Sequence, residues 1–292
     1  MVTMRRFTLA FLALPLALRS QSAGDHFKAG RAAYAANNAD AAVKSFERAV
    51  SLDDKNAEYH LWLGRAVGSV AQNANVLRQP FLAKRVKAEF ERTVQLDASN
   101  LGGHDGLMQF YLQAPGIIGG SLSKAREEAE AIARISPLRG HFARATIAIH
   151  EKDFATAEHE DRGAVNEFPD TLAAVATLAN LLANNHRGDE AFAVLDKYLA
   201  RKPGDVLALW WVGRVAAITG MQLERGEQAL RTILVAPGVG VDPNLPVPAN
   251  IHFRLGDIFA KKGAKEQARK EYEKAIELNP QLDAARKALK AL

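Results

Sequence analysis

Three nonapeptides spread along almost the whole chain are nearly the same phrase. They are FERAVSLDD at Phe46–Asp54, FERTVQLDA at Phe90–Ala98 and YEKAIELNP at Tyr272–Pro280. Each opens on an aromatic residue and continues with the spacing of a helix that has one apolar face. Pro169, Pro203 and Pro237 then fall one 34-residue period apart. A period of that length marks a repeat array, in which one unit cannot bury its apolar face alone and must stack on its neighbours. The 292 residues would suffice for two ordinary domains or one elongated array, and the periodicity selects the array.

The most regular copy, Ala249–Pro280, serves as the ruler. It carries Leu255-Gly256, Phe259, Gly263, Ala268, Tyr272, Ala275 and Pro280. This pattern resembles the tetratricopeptide repeat, a helix–turn–helix unit. Numbering repeat positions so that Gly256 is position 8 reveals six less regular copies. Repeats lie near 23–56, 57–100, 101–137, 138–171, 172–205, 206–239 and 249–282, with a capping helix at 282–292. Copy two carries about ten extra residues between Gly64 and Phe90, and Pro80 is placed to open its second helix. Copy three inserts residues 114–121. The resemblance implies an all-α, right-handed superhelical solenoid of about seven such repeats plus a C-terminal capping helix.

Packing accounts for the pattern. Position 8 must be small where the second helix crosses the first; it is Gly30, Gly64, Ala145, Ala179, Gly213 and Gly256, with Met108 the exception. Position 20 is small for the reciprocal reason: Ala42, Ala125, Ala157, Ala191 and Ala268. Residues 238–248 hold three prolines and read as an extended connection. Copy seven behind it, with the cap, is expected to form a semi-independent end.

Met1–Ser22 has Arg5-Arg6, an apolar core from Phe7 to Leu18, and small polar residues up to Ser22. That is the layout of a secretory signal peptide cut before Ala23, and the core is too short for a span of roughly 20 residues. The expected location is periplasmic or secreted, with no stable membrane anchor after cleavage. Removing Arg5, Arg6 and Arg19 lowers the net charge from +5 to +2, which is no nucleic-acid signal. The chain has no cysteine, so disulfides, thiolate metal sites and thiol nucleophiles are excluded.

Nothing in the sequence reads as a catalytic, cofactor or metal site. Of eight histidines, His26, His60, His104, His141 and His252 share repeat position 4, which is a packing pattern rather than a ligand set. His150-Glu151 and His159-Glu160 begin like HExxH, but Phe154 and Gly163 stand where its second histidine belongs; both pairs read as solvated helix surface. The Gly116–Lys124 segment lacks the Gly-Lys-Ser/Thr of a P-loop, so its glycines read as backbone devices and Ser121 or Ser123 as a helix cap.

The resemblance also implies a binding face along the first helices, at positions 2, 5, 9 and 12. The candidates there are Phe27, Arg31, Tyr34, Leu61, Arg65, Phe142, Asn180, Trp210, Arg214 and Phe253. Aromatics and arginine dominate interface hot spots. The carboxylate clamp of some family members needs lysine at position 5, which is absent, and only Asn180 matches at position 9. Arg31 with Arg65 could instead hold an acidic segment. The reading is an exported scaffold, not an enzyme, that binds another protein or an extended peptide in a concave groove. The alternative is an extracytoplasmic binder of a small ligand or polymer, or an enzyme without a recognisable motif.

Overall fold

The structure, a computed structural model, describes residues 22–292. The expected signal peptide therefore lies outside the described residues, apart from Ser22. Among them there are fifteen α-helices and no strand. They are α1 Ala23–Ala35, α2 Ala39–Leu52, α3 Ala57–Gln72, α4 Gln79–Leu96, α5 Leu101–Gln113, α6 Leu122–Ile135, α7 Pro137–His150, α8 Phe154–Glu167, α9 Leu172–Asn184, α10 Gly188–Arg201, α11 Val206–Thr219, α12 Leu223–Leu234, α13 Pro248–Lys261, α14 Lys265–Leu278 and α15 Asp283–Lys290. Six helix pairs, α1/α2, α3/α4, α7/α8, α9/α10, α11/α12 and α13/α14, pack within single repeats, and α15 packs on α14 after the last of them. The surplus of copy two lengthens both of its helices, to 16 and 18 residues, with Pro80 in the first turn of α4.

Side chains written into the loops start many of these helices. Ser22, Asn38, Asn56, Asn100, Ser136, Asp153 and Asp205 each accept a backbone N–H from the first turn that follows, satisfying donors that a helix end otherwise leaves unpaired. The turn inside the repeat has its own rule. Asn37, Lys152, His186, Gly220 and Gly263 all stand at position 15, and all have positive φ, between 57° and 77°. The left-handed residue reverses the chain between paired helices. Only two of the five are glycine, the residue that adopts this conformation without steric cost.

The crossing inside each repeat follows the expected logic. A Cβ on Gly256 would sit 2.4 Å from the Tyr272 ring, and on Gly30 2.5 Å from the Phe46 ring. On Gly64 it would meet Phe90 at 2.9 Å, and on Gly213 it would meet Leu230 at 2.4 Å. The absent side chain at position 8 is thus the seat of the large residue from the second helix.

By packing, the chain divides into two compact units, one ending at Ser121 and the other Leu122–Leu292. The boundary falls within the third repeat. In the first unit, Phe46, Leu63, Ala66 and Val67 form the core, with Phe27, Tyr34 and Trp62 packed against it. In the second, one core runs from Val175 to Tyr272. That continuity corrects the expectation of a semi-independent copy seven: Ile251, Leu255, Ile258 and Phe259 join the same cluster as Leu195 and Leu230. Residues 238–245 are not extended either, although Val247 is. Gly238 and Gly240 take positive φ, and Val241 and Asp242 N–H groups both donate to the Gly238 carbonyl. Pro243 and Pro246 interrupt helix and Pro248 opens α13, while the glycines let the chain before them wind into tight turns.

Repeat four departs from the others. Its position 24, which is Phe46, Phe90 or Tyr272 elsewhere, is Asp161. The carboxylate is 2% exposed and its Oδ1 has no hydrogen-bond partner. In the same repeat Ala145, Ala148 and Ala157 form a small buried apolar cluster. Burial, with Glu160 and Glu158 nearby, pushes the Asp161 carboxyl up to about 6.

Candidate functional site

The candidate binding residues all lie on first helices, and in the second unit α9, α11 and α13 pack side by side. The ten do not form one cluster. In the first unit, Phe27 packs on Tyr59, with ring centroids 4.9 Å apart, and on Phe46 at 5.7 Å. Leu61 is buried and faces Gly102 of α5. Both therefore join adjacent repeats, and Leu61 is withdrawn from any open surface.

The arginines of this unit meet on Trp62, which is not one of the ten candidates. Arg31 stacks on the Trp62 ring with its guanidinium carbon 3.8 Å from the centroid, and Arg65 stacks on the same ring at 4.8 Å. Tyr34 meets Trp62 edge-on at 5.5 Å, and its hydroxyl accepts from Ser69 at 3.4 Å. Stacking on an aromatic face orients a guanidinium while leaving its N–H donors available. Arg31 is also 3.9 Å from Glu58, a half-exposed pair of small worth.

The second unit carries the more unusual arrangement. Asn180 and Arg214 both occupy position 9, in consecutive repeats. Arg214 donates from Nε and Nη2 to the Asn180 side-chain oxygen, at 3.3 and 3.2 Å, and lies over the Trp211 ring at 5.3 Å. Its guanidinium is held below its usual range, first by burial and then by the nearby charge of Arg254. Arg254 is already paired, through Nη1 to Asp257 at 2.9 Å, and stacks over Phe253 at 4.8 Å. Burial raises the Asp257 carboxyl; Arg254 and the Tyr272 hydroxyl, which donates to Asp257 at 2.9 Å, oppose that rise. Arg214 therefore faces a neutral amide, a tryptophan and a second cation. Trp210 and Phe253 are half-buried against the core beside it, and Phe142 is half-buried on α7.

The position-4 histidines do more than pack. His60 Nδ1 lies 2.7 Å from Glu89, His141 Nδ1 2.7 Å from Glu160, and His252 Nδ1 2.6 Å from Glu271. Each glutamate is at position 23, so the pair latches the first helix of a repeat to the second. Glu160 is thereby removed from the solvated surface expected for it. Glu151 is likewise engaged, by Arg126 at 2.7 Å. Ser123 lies inside α6 rather than at its cap, 3.4 Å from Glu127. Among the described residues, no group of three His, Asp or Glu is placed to hold a metal ion, and no helix is long and apolar enough to cross a membrane.

Helix pairs with a small residue at most crossings and a left-handed residue at five of the turns define an α-helical repeat protein. Two tetratricopeptide repeat family models match, one at residues 27–67 and one at residues 249–282, and the chain carries tetratricopeptide repeats. No curated protein matches it. Solved structures show the same fold at low identity. A tetratricopeptide repeat protein from Parabacteroides merdae is 14% identical, with a TM-score of 0.55 over 92% of this chain and 98% of that one. The IFIT1 N216A monomeric mutant, solved with m7Gppp-AAAA, is 15% identical, with a TM-score of 0.56 over 95% of this chain and 63% of its own. The APC/C hetero-tetramer Cut9-Hcn1 is 14% identical, with a TM-score of 0.51 over 91% of this chain and 46% of the other.

Proposed function

We propose that this chain is a protein-interaction scaffold that binds an extended, acidic segment of another protein along its first-helix face. One observation carries the reading: the Arg214 guanidinium is partly buried beside Arg254 and has only the Asn180 amide as a hydrogen-bond partner. Holding an uncompensated cation in such a place is costly. A carboxylate arriving from a partner would remove that cost and make charge-assisted hydrogen bonds. Trp210 and Phe253 beside it offer apolar contact for neighbouring partner residues. In the first unit, Arg31 and Arg65, oriented by Trp62, suit the same class of ligand. Among the described residues no acid forms an ion pair with Arg214, which leaves its charge open to one from a partner.

The scaffold is proposed to act outside the cytoplasm, in the periplasm or as a secreted protein, on the composition of Met1–Ser22. Ser22 forms a reciprocal capping box with Asp25 at the start of α1. A cut before Ala23 would delete that cap and place a positive amine at the helix N-terminus, where cations are unfavourable. The cut is therefore better placed upstream of Ser22, and the mass of the mature protein reports it.

The binding test uses a fluorescent extended peptide with several Asp or Glu side chains and a free C-terminal carboxylate, against an amidated Gln/Asn analogue. The acidic peptide is expected to bind and the analogue to bind at least tenfold more weakly. Equal binding of the two, or no loss on Arg214→Gln, would overturn the reading.

A further inference from the structure

The first unit presents a second surface that the peptide face does not use. The extra residues of copy two form the loop between α3 and α4 and the long first turns of α4. They expose Val76, Leu77 and Phe81, each more than three-quarters accessible. The insertion of copy three ends close by: its single 3-10 turn, Gly116–Ile118, packs on α4 and carries Ile117, 96% exposed.

That turn is firmly built. Ile118 and Gly120 N–H groups donate to the Pro115 carbonyl at 2.8 and 3.1 Å, and Ser121 N–H donates to Tyr111 at 2.9 Å. A Cβ on Gly120 would lie 1.7 Å from the Ala114 carbonyl oxygen, so only glycine lets the segment close. The glycines thus hold Ile117 outward rather than cradle a phosphate. Both insertions end in bare aliphatic or aromatic side chains, and exposed apolar clusters mark contact surfaces.

Charge identifies the contact. No acidic residue occurs from Tyr59 to Ala88, nor from Gln113 to Ser121. Arg78, Lys84, Arg85 and Lys87 fall within the first segment; Arg85 and Lys87 are tied to Glu47 and Glu91, whereas Arg78 and Lys84 are exposed. The apolar side chains stand out from loop tips instead of lining a groove. Protruding apolar residues with exposed cations in the same segment match an anionic lipid surface, where the former enter the headgroup boundary and the latter meet lipid charge.

We infer that this end of the first unit docks reversibly on an anionic membrane surface through Val76, Leu77, Phe81 and Ile117, steered by Arg78 and Lys84. This is a peripheral contact and needs no spanning segment.

The test is co-sedimentation of the full chain with vesicles of phosphatidylcholine alone, or with phosphatidylglycerol added. Expected is binding to the anionic vesicles, weakened by salt. The Leu77→Asp/Phe81→Asp variant should lose at least tenfold with unchanged helical circular dichroism, and Arg78→Gln and Lys84→Gln should each lose roughly fivefold. Residues before Ser22 are identical in every variant, so the difference reads the tip. Absence of binding to either vesicle, or full binding by the double variant, overturns the inference. A self-associated species that Leu77→Asp/Phe81→Asp abolishes, without vesicle binding, overturns it in favour of a second copy as the occupant.

Discussion

Arg214 and Asn180 occupy the same place in consecutive repeats, and the guanidinium of one donates twice to a single amide oxygen of the other, at 3.3 and 3.2 Å. An amide accepts hydrogen bonds without neutralising charge. The pair orients Arg214 and leaves its charge open. Arg214→Met is therefore expected to cut affinity for an acidic peptide at least tenfold while leaving stability unchanged or raising it by up to about 2 kcal/mol. Denaturant unfolding and peptide titration on the same sample check both halves. Asn180→Asp should also weaken the acidic ligand, because the chain would then supply its own counter-charge.

The Gly256–Tyr272 crossing predicts a cost for the smallest possible side chain. Gly256→Ala places a methyl 2.4 Å from the ring, which must move and loosen its bond to Asp257. The loss is expected to be about 1–3 kcal/mol. Pairing it with Tyr272→Leu should recover part of that loss, since contacting sites are not additive; thermal melts of the four proteins read the coupling.

The turns give a prediction of opposite sign. His186 and Lys152 hold φ of 60° and 64°, both on exposed turns. A side chain in this conformation costs roughly 1–2 kcal/mol, and glycine returns part of that through greater freedom in the unfolded chain. His186→Gly and Lys152→Gly should each stabilise by about 0.5–1 kcal/mol, and Gly263→Ala should destabilise by a similar amount. Midpoints of chemical denaturation report the ordering.

Asp161 ties stability to pH. Its carboxyl titrates near 6 in the folded protein, against an ordinary value of 3.8, so the folded state keeps the proton to higher pH than the unfolded one. The advantage is fully present below pH 3.8 and is lost as pH rises through about 6. At pH 7 the buried charge then costs about 3 kcal/mol. Asp161→Asn should exceed the parent in stability by that order at pH 7, and the gap should close by pH 4. A gap independent of pH would contradict the assignment.

Much of this fold is written locally. A glycine at position 8 and a large residue sixteen places on, as in Gly30–Phe46 and Gly256–Tyr272, show the repeat without knowledge of anything distant. What was not legible lies between elements. Trp62 sits at a repeat position with no strong preference, so nothing in the spacing marked it as the plate for Arg31 and Arg65. The histidine row was visible, but its partners were not: Glu160 and Glu271 lie across the turn, and Glu89 is displaced further by the insertion in copy two. The winding of residues 238–245 rests on the positive φ of Gly238 and Gly240, which the neighbouring prolines mask in the sequence. Asp161 was hidden for another reason: its repeat was recognised by the residues that fit, and the residue that did not fit was the informative one.

The buried, unpartnered carboxylate of Asp161 in repeat four bears on how the molecule comes apart. In a linear array each unit is held by its neighbours alone, so a poorly cemented unit is where a fracture starts. Helices α9 to α14 share one continuous core and can persist as a block after α7 and α8 have let go. Amide hydrogens there would then exchange in two waves, the α7–α8 pair first. Cleavage between Ser136 and Phe168 would be the first cut a protease makes, releasing a folded C-terminal fragment.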